Sequence, residues 1–329
     1  MDCIKVIFGD CTLGVQGDRE GRSFELIFSY AKGGLVSLVS DKKEWIYRAP
    51  QPAFWRALTD NDRGAGFHLK SGIWLSADMF IKTANIEVTL DKKEYGFPAA
   101  PLTNDFKSAV EGNILKVKYT YETVTNPVTA VSIEYEINSD GEIKVHAHYF
   151  GKEGLPELPV FGVRIIMPTL AENYRYEGLS GETYPDRMTG GKQGVYDMEG
   201  LSVTPYILPQ DCGMHMDTDW LEIYRKKVLD NTKNEERLSV LRFEVLNTAG
   251  AGSLDTAHGK FAFSCLPYTP SELENALHRE ELPTPRRTVL TIYGAVRGVG
   301  GIDTWGSEPE PPYRVSGEED HEVGFRIVV

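Results

Sequence analysis

The chain has 329 residues and a formal net charge of −13 at pH 7. A chain of this length can bury a substantial core, either as one large domain or as two smaller ones. The acidic excess argues against nucleic acid and against an anionic membrane as partners, because both require a basic surface. A neutral or cationic ligand, or another protein, fits this charge better.

The N-terminal sequence and the cysteines predict a cytoplasmic protein. The opening residues MDCIKVIFGD lack the basic segment and the long apolar run of a signal peptide. No segment approaches the ~20 apolar residues that a membrane-spanning helix needs. The cysteines show no CxxC spacing, so we expect thiols in a reducing compartment at Cys3, Cys11, Cys212 and Cys265.

Alternating apolar and polar residues make β-strands the dominant predicted element. They occur in SFELIFSY (23–30), LVSLVS (35–40), NILKVKYTYETV (113–124), VSIEYEINSDGEIKVHAHYF (131–150), RLSVLRFEV (237–245), RTVLTIYGAV (287–296) and HEVGFRIVV (321–329). The fourth segment predicts a hairpin around its NSDG turn. Period-two alternation buries one face of a sheet and favours antiparallel pairing, so we predict an all-β fold.

Few segments predict helices. The segment TPSELENALHREEL (269–282) has an N-cap at Thr269, a proline at the first helical position and Glu272 in place for a capping box. Its apolar face would consist of Leu273, Ala276 and Leu277. GIWLSADMFIK (72–82) is a second helix candidate, and AGAGSLDTAHGK (249–260) predicts a loop, either on the surface or in an active site.

Three polar segments contain the candidate site residues. The first, FWRALTDNDRGAG (54–66), holds Arg56, Asp60, Asn61 and Asp62. Its carboxylates and amide could bind a cation or hydroxyl groups, although Asp and Asn more often close turns on their own backbone. Both readings stay open on the residues alone.

The second and third segments leave similar alternatives. GETYPDRMTGGKQGVY (181–196) brings together Glu182, Tyr184, Asp186 and Arg187, which either form a site or organise a loop. YILPQDCGMHMDTDWLEI (206–223) contains a polar QDCG turn and then His215, Asp217 and Asp219. The spacing of these last three side chains suits metal ligands on one face of a strand, but an ordinary surface ion pair is the commoner arrangement.

The segment GGIDTWGSEPEPPYRV (300–315) places Trp305 on a loop, because its glycines and prolines exclude a helix interior or a central strand. The indole either awaits a ligand or partner, or folds back over the end of the sandwich. The chain has no GxSxG, HExxH, GxGxxG or P-loop motif. We therefore expect a binding scaffold without an autonomous catalytic site.

Six ordered segments resemble one family: FWRALTDNDRG, LPVFGVRIIMP, GETYPDR, YILPQDCG, FAFSCLPYTPSELENALH and RGVGGIDTWG. They look like the C-terminal domain, or small chain, of LacZ-type bacterial β-galactosidases of glycoside hydrolase family 2. The resemblance covers residues 8–329 and implies a single domain over 1–329. It implies an antiparallel supersandwich similar to galactose mutarotase.

The same resemblance implies a non-catalytic role, because the family's two catalytic glutamates lie in a (β/α)8 barrel that this chain lacks. The partner would be the barrel-bearing large chain, and a galactoside would bind at the shared active-site mouth. Trp305 and Asp303 match the family's substrate-contacting loop, on which the tryptophan face packs against the sugar ring. No cofactor is implied in this chain; Mg and Na belong to the catalytic chain.

The sequence departs from the family pattern at several positions. Ser180 and Gly181 replace the usual Gly-Pro, Cys212 lies in QDCG where QENG is usual, and Ile302 replaces an acidic residue. His215 and Asp219 stand where the family has basic residues. These changes concern the exact substrate and partner rather than the fold.

Two other functions remain alternatives to a β-galactosidase subunit: a free-standing mutarotase-like enzyme and a carbohydrate-binding module. The first needs a general acid and base. His146 and His148 alternate on one strand face, which favours a solvated position. The acidic pairs Asp60/Asp62 and Glu308/Glu310 lie in polar segments, where solvation would keep both members ionised, so we expect neither to be a glycosidase pair.

Overall fold

The computed structural model describes residues 3–19, 21–95, 109–227, 237–246 and 259–329. Ten strands occupy its first part: β1 (Ile4–Gly9), β2 (Thr12–Arg19), β3 (Arg22–Ser29), β4 (Gly34–Ser40), β5 (Lys43–Glu44), β6 (Arg48–Ala53), β7 (Lys82–Leu90), β8 (Lys93–Tyr95), β9 (Val110–Gly112) and β10 (Ile114–Glu122). Eleven follow: β11 (Ala130–Asn138), β12 (Glu142–Tyr149), β13 (Val160–Met167), β14 (Asn173–Leu179), β15 (Gln193–Glu199), β16 (Met214–Thr218), β17 (Trp220–Arg225), β18 (Ser239–Val245), β19 (Phe261–Leu266), β20 (Thr288–Val296) and β21 (His321–Val328). Of the predicted loop 249–260, all but the last two residues lie outside the described ranges.

These strands form three sheets. The order is β5-β4-β3-β2-β1-β9 in a six-stranded sheet and β15-β14-β17-β18-β21-β12-β11-β10-β7-β8 in a ten-stranded sheet. The third sheet has five strands, in the order β16-β19-β20-β13-β6. Each of these strand pairs in the described residues is antiparallel, which confirms the predicted all-β antiparallel fold.

One hydrophobic core joins the three sheets. The ring of Phe28 on β3 meets that of Tyr135 on β11 edge-on, with centroids 5.3 Å apart. Tyr149 on β12 contacts Phe161 on β13 at 5.8 Å. Aromatic pairs of this kind contribute about 0.5–1.5 kcal/mol beyond the area they bury, so they help fix how the sheets stack.

The predicted alternation is confirmed where it was clearest. The β11–β12 hairpin has the expected pairing, and Gly141 adopts a left-handed φ of 80° in its turn. The alternating apolar residues that are buried in segments 23–30, 113–124 and 131–150 include Phe24, Leu26, Phe28, Tyr30, Leu115, Val117, Tyr119, Tyr121, Ile133, Tyr135, Ile137, Ile143, Val145 and Ala147. His146 and His148 lie on the opposite, partly solvated face, as predicted.

The described residues contain three short α-helices: α1 (Asp60–Gly64), α2 (Phe67–Ser71) and α3 (Pro270–Asn275). One or two were expected, and of the three only α3 lies in a segment predicted to be helical. The predicted capping box of α3 is confirmed, because Thr269 and Glu272 each accept the other's backbone N–H. The helix is shorter than predicted. Ala276 is already extended, so Leu277 is 66% exposed and does not join the buried face.

The predicted helix at 72–82 is wrong. Two 3₁₀ turns, Gly72–Trp74 and Ala77–Met79, replace it, and Lys82 begins β7. Ser76 between the turns has a left-handed φ of 62°, which an α-helix cannot contain. Trp74 ends the first of these turns and is buried, although it does not lie on an α-helix.

Within the described ranges, no helix is long and apolar enough to cross a membrane.

Candidate functional site

Trp305 lies on an exposed loop that hydrogen bonds hold at both ends. We call residues 299–307 the Trp305 loop. Its indole is 79% exposed, which rules out the alternative in which it folds back over the sandwich. Gly300, Gly301 and Gly306 adopt left-handed φ angles of 64°, 75° and 91°, which suit glycine and disfavour residues with a side chain.

Three side chains hold the base of the Trp305 loop. The Asp186 carboxylate accepts the backbone N–H of Val299 at 3.0 Å and that of Gly300 at 2.8 Å. Arg187 and Asn61 both donate to the carbonyl oxygen of Gly300, Asn61 at 3.2 Å. Residues of two polar segments, distant in the sequence, therefore meet at this one loop.

The other end of the loop packs directly on helix α1. The Trp305 indole N–H donates to the carbonyl oxygen of Asp60 at 3.2 Å. A Cβ added at Gly306 would lie 2.7 Å from the carbonyl carbon of Gly64, and one added at Gly64 would lie 2.9 Å from the Cα of Gly306. The two glycines thus allow the close backbone approach that sets the position of the indole.

Replacing Asp186 by asparagine should loosen this loop. The side chain of Asp186 is buried and supplies a charged acceptor to two backbone N–H groups, an interaction worth about 1.5–3 kcal/mol. We expect the amides of residues 299–301 to exchange with deuterium about 10–100-fold faster. The matched control is Asp303→Asn, an exposed carboxylate on the same loop. Unchanged exchange in Asp186→Asn would show that the loop does not depend on this contact.

Asp62 forms the buried floor beneath the loop. Its carboxylate contacts Arg56 at 2.6 Å and Arg297 at 3.2 Å, and the side chains of all three are at most 1% exposed. Thr59 donates to Asp62 from its backbone and from its hydroxyl, because Asp62 closes the capping box of α1. Burial alone would raise the pKa of Asp62, but Arg56 and the Thr59 hydrogen bonds lower it below its usual value.

The predicted solvated position of Asp62 is therefore wrong. The carboxylate is ionised because two buried guanidinium groups and a helix cap stabilise it, not because water does. Asp60, in contrast, is exposed and pairs with Arg63 at 3.3 Å. The segment is the start of a helix rather than an isolated turn.

An open cleft of about 390 Å³ adjoins the loop base. Its lining consists of Thr59, Asp60, Asn61, Glu182, Thr183, Tyr184, Arg187, Tyr206, Gln210, Asp211 and Val299. The Tyr184 hydroxyl donates to Asp211 at 2.7 Å, and Arg56 lies over the Tyr184 ring. Burial raises the pKa of Asp211 to about 7, although Arg56 and the Tyr184 hydrogen bond offset part of that effect.

Asp211→Asn should remove a pH dependence of stability. The folded pKa lies above the ~3.9 of an aspartate in an unfolded chain, so the folded state holds this proton more tightly. The stabilisation present below pH ~4 is therefore lost as the pH rises to about 7. Urea unfolding is measured between pH 4 and 8. The stability of the variant should rise relative to that of the parent from pH 4 to about pH 7 and should not rise further up to pH 8. A difference that does not change with pH would contradict the assignment.

The surface or metal-binding position predicted for His215 is wrong. The ring is 2% exposed on β16, stacked on Phe263 at 4.8 Å. Its Nε2 pairs with the Tyr174 hydroxyl and its Nδ1 with the Gly181 carbonyl, both at 3.0 Å. Burial lowers its pKa to about 4, so the ring is neutral and both nitrogens are engaged inside the sandwich.

The remaining candidates, Glu308, His146 and His148, form ion pairs outside the Trp305 loop. Glu308 pairs with Lys70 and, at 3.1 Å, with Arg314, and the hydrogen bond from Lys70 lowers its pKa. His146 and His148 both contact Glu322, at 3.5 and 3.2 Å, on the outer face of the ten-stranded sheet. No group of three His, Cys, Asp or Glu residues in the described ranges is arranged to hold a metal ion.

Several residues of the site were not singled out from the sequence. Asp211 and Gln210 belong to a QDCG segment that was interpreted only as a polar turn, yet Gln210, Asp211 and Cys212 are all buried. Arg297 directly follows the wholly buried β20, and a charge in that position was the available indication of a buried ion pair. Tyr206 carried no pattern that distinguishes it from other loop aromatics.

The three antiparallel sheets and their shared core define the chain as an all-β sandwich protein. Residues 20–327 match the family described as "Beta galactosidase small chain", and the chain belongs to that family. It is 51% identical to the "Beta-galactosidase small subunit" of Latilactobacillus sakei, over 98% of this chain and 97% of that protein.

Several other relatives are much longer. The chain is 32% identical to "Beta-galactosidase BgaC" of Bifidobacterium adolescentis, over 98% of this chain but only 27% of that protein. Among solved structures it is similar to a galactose mutarotase related enzyme from Lactobacillus acidophilus, with 10% identity, coverage of 99% and 96% of the two chains, and a TM-score of 0.38. This last likeness is distant and adds nothing to the strand topology.

Proposed function

We propose that this chain is the non-catalytic small subunit of a two-chain β-galactosidase and that it completes the active-site mouth of a separate large chain. The observation that carries the proposal is the 79% exposure of Trp305 on a loop fixed at both ends. Contact between water and the apolar surface of an indole is unfavourable, and covering that surface lowers the free energy. Membership of the small-chain family supports a covering partner.

The indole face suits a sugar ring. Axial C–H groups of a pyranose form an apolar, weakly positive face, which an aromatic face binds without a charge. In this proposal the large chain, with a (β/α)8 barrel of glycoside hydrolase family 2, carries the nucleophilic and acid–base glutamates of a retaining hydrolysis. In the same proposal, Mg and Na bind to the large chain. Trp305, with Asp303 on the same loop, orients the galactoside and helps exclude water.

The anchored loop base supports this positioning role. Asp186, Arg187 and Asn61 hold the loop before any ligand arrives. A preformed loop loses less conformational entropy when it closes on the substrate than a mobile loop would. The buried floor of Asp62, Arg56 and Arg297 fixes α1, on which the indole N–H is hydrogen-bonded.

Assembly tests the proposal. The full chain is mixed with the large chain from the same source and followed by sedimentation velocity and by tryptophan emission. We expect one complex and a shift of emission to shorter wavelength as Trp305 leaves water. In Trp305→Phe the complex should still form, but most of the shift should vanish. Two chains that sediment independently at micromolar concentration would contradict the proposal.

A further inference from the structure

The cleft next to the Trp305 loop has no role in the function proposed so far. Building on that function, we infer that the cleft is a second carbohydrate subsite, which binds a neutral sugar unit beyond the ring stacked on Trp305. It lies within this chain alone, and its walls are named above.

The cleft and the Trp305 loop are parts of one surface. Asp60 lines the cleft, and its carbonyl oxygen accepts the Trp305 indole N–H. Asn61 and Arg187 also line the cleft, and both donate to Gly300 at the loop base. A ligand that covers the indole therefore lies beside the cleft mouth, and a second ring of the same ligand can enter it.

The chemistry of the walls fits a polyol. Carboxyl oxygens of Asp60, Glu182 and Asp211 supply acceptors for hydroxyl protons, while Arg187 and Asn61 supply donors for hydroxyl oxygens. Tyr206, 38% exposed, adds an aromatic face of the kind that sugars stack on. Specific sugar sites combine such an aromatic surface with a few placed polar groups.

Two other ligand classes fit poorly. A bound anion would face the carboxylates of Asp60 and Glu182, and Arg187 is the single guanidinium among the lining residues. A metal ion needs its ligands to converge on one point, and no such group of three exists in the described residues. The cleft volume of about 390 Å³ lies in the ~300–1,000 Å³ range of small-molecule sites.

The walls are also preformed. Thr204 donates to Glu182 at 2.7 Å, and Tyr184 donates to Asp211 at the same distance. The backbone N–H of Asp60 donates to the side-chain oxygen of Gln210 at 2.7 Å. Tyr184, Gln210 and Asp211 are each less than 9% exposed, so their positions are fixed by the surrounding structure.

Sugar binding by the full chain tests this inference independently of the large chain. Lactose and galactose are titrated into the isotope-labelled protein, and backbone amide shifts are followed. We expect lactose to shift the amides of residues 59–61 and 204–211 as well as those of the Trp305 loop, and to bind more tightly than galactose. Glu182→Gln should raise the Kd for lactose about 5–10-fold, because it removes a charged acceptor from an exposed position. Glu199→Gln, an exposed carboxylate on β15, is the matched control and should change nothing.

Three results would overturn the subsite. If lactose shifts only the amides of the Trp305 loop, the cleft does not bind a sugar. Equal losses of affinity in Glu182→Gln and Glu199→Gln would reduce the effect to general charge. Saturable binding of N-acetyl-lysine amide in the cleft, without lactose binding, would assign it to a basic side chain of the partner. Failure of the two chains to assemble would instead refute the proposed function and leave these readings unaffected.

Discussion

Replacing Trp305 by alanine should lower kcat/KM of the assembled enzyme for a β-galactoside about 30-fold. Covering an indole is worth about 2 kcal/mol by its apolar area, and each ~1.4 kcal/mol is a tenfold change. Within the described residues the exposed indole donates its hydrogen bond to the carbonyl oxygen of Asp60 in α1, so the fold should tolerate the change. Steady-state kinetics of the purified complex measures the effect.

Two variants separate stacking from general disturbance. Trp305→Phe keeps an aromatic face and should recover part of the activity. Phe150→Ala removes a 37% exposed aromatic that stacks on His148 rather than on the loop, and it should leave kcat/KM unchanged. If Trp305→Ala assembles normally and hydrolyses substrate at the parental rate, the indole has no part in the active site.

Asp62→Asn should lower the free energy of unfolding by about 3–5 kcal/mol. The substitution leaves the guanidinium groups of Arg56 and Arg297 buried without their shared counter-charge, and breaking a buried ion pair costs that much. It also weakens the capping box of α1. Urea unfolding at pH 7 measures the loss, and hydrogen exchange should show that α1 and the adjoining Trp305 loop open first.

Asp60→Asn is the matched control, because the Asp60 side chain is half exposed in the same helix and forms a surface ion pair with Arg63. It should stay within about 0.5 kcal/mol of the parent. The acid limb adds a second check. The folded pKa of Asp62 is lowered, so its contribution is present above pH ~4 and is lost as the pH falls through the folded pKa. A parent that loses stability on acidification no faster than Asp62→Asn would contradict the ion-pair account.

Local patterns were enough to predict strands β3, β4, β10, β11, β12, β18, β20 and β21, whereas the other thirteen strands of the described residues were not singled out. The alternation of Leu115, Val117, Tyr119 and Tyr121 determines which face of β10 meets the core, whatever its neighbours are. The Thr269 capping box likewise depends on residues three positions apart. The prediction of a helix at 72–82 was wrong because Trp74 is buried within two 3₁₀ turns, so the apolar residues there do not form one face of an α-helix.

Some residues of the candidate site were predictable from the sequence, but their arrangement was not. Asp60, Asn61, Asp186 and Arg187 were singled out by type, yet only the fold brings them to the Trp305 loop. Burial of His215 and Asp62 depends on partners far away in the sequence, Tyr174 and Arg297. A polar cluster read along the chain therefore cannot show which of its members face solvent.

Hydrolysis of a chromogenic β-galactoside tests the central claim most directly. The rate is measured for this chain alone, for the large chain from the same source alone, and for the two mixed. We predict no turnover by this chain, and activity on mixing that saturates at a fixed ratio of the chains. Turnover by this chain alone would contradict the claim and would return its carboxylates, Asp211 and Glu182 first, to consideration as catalytic residues.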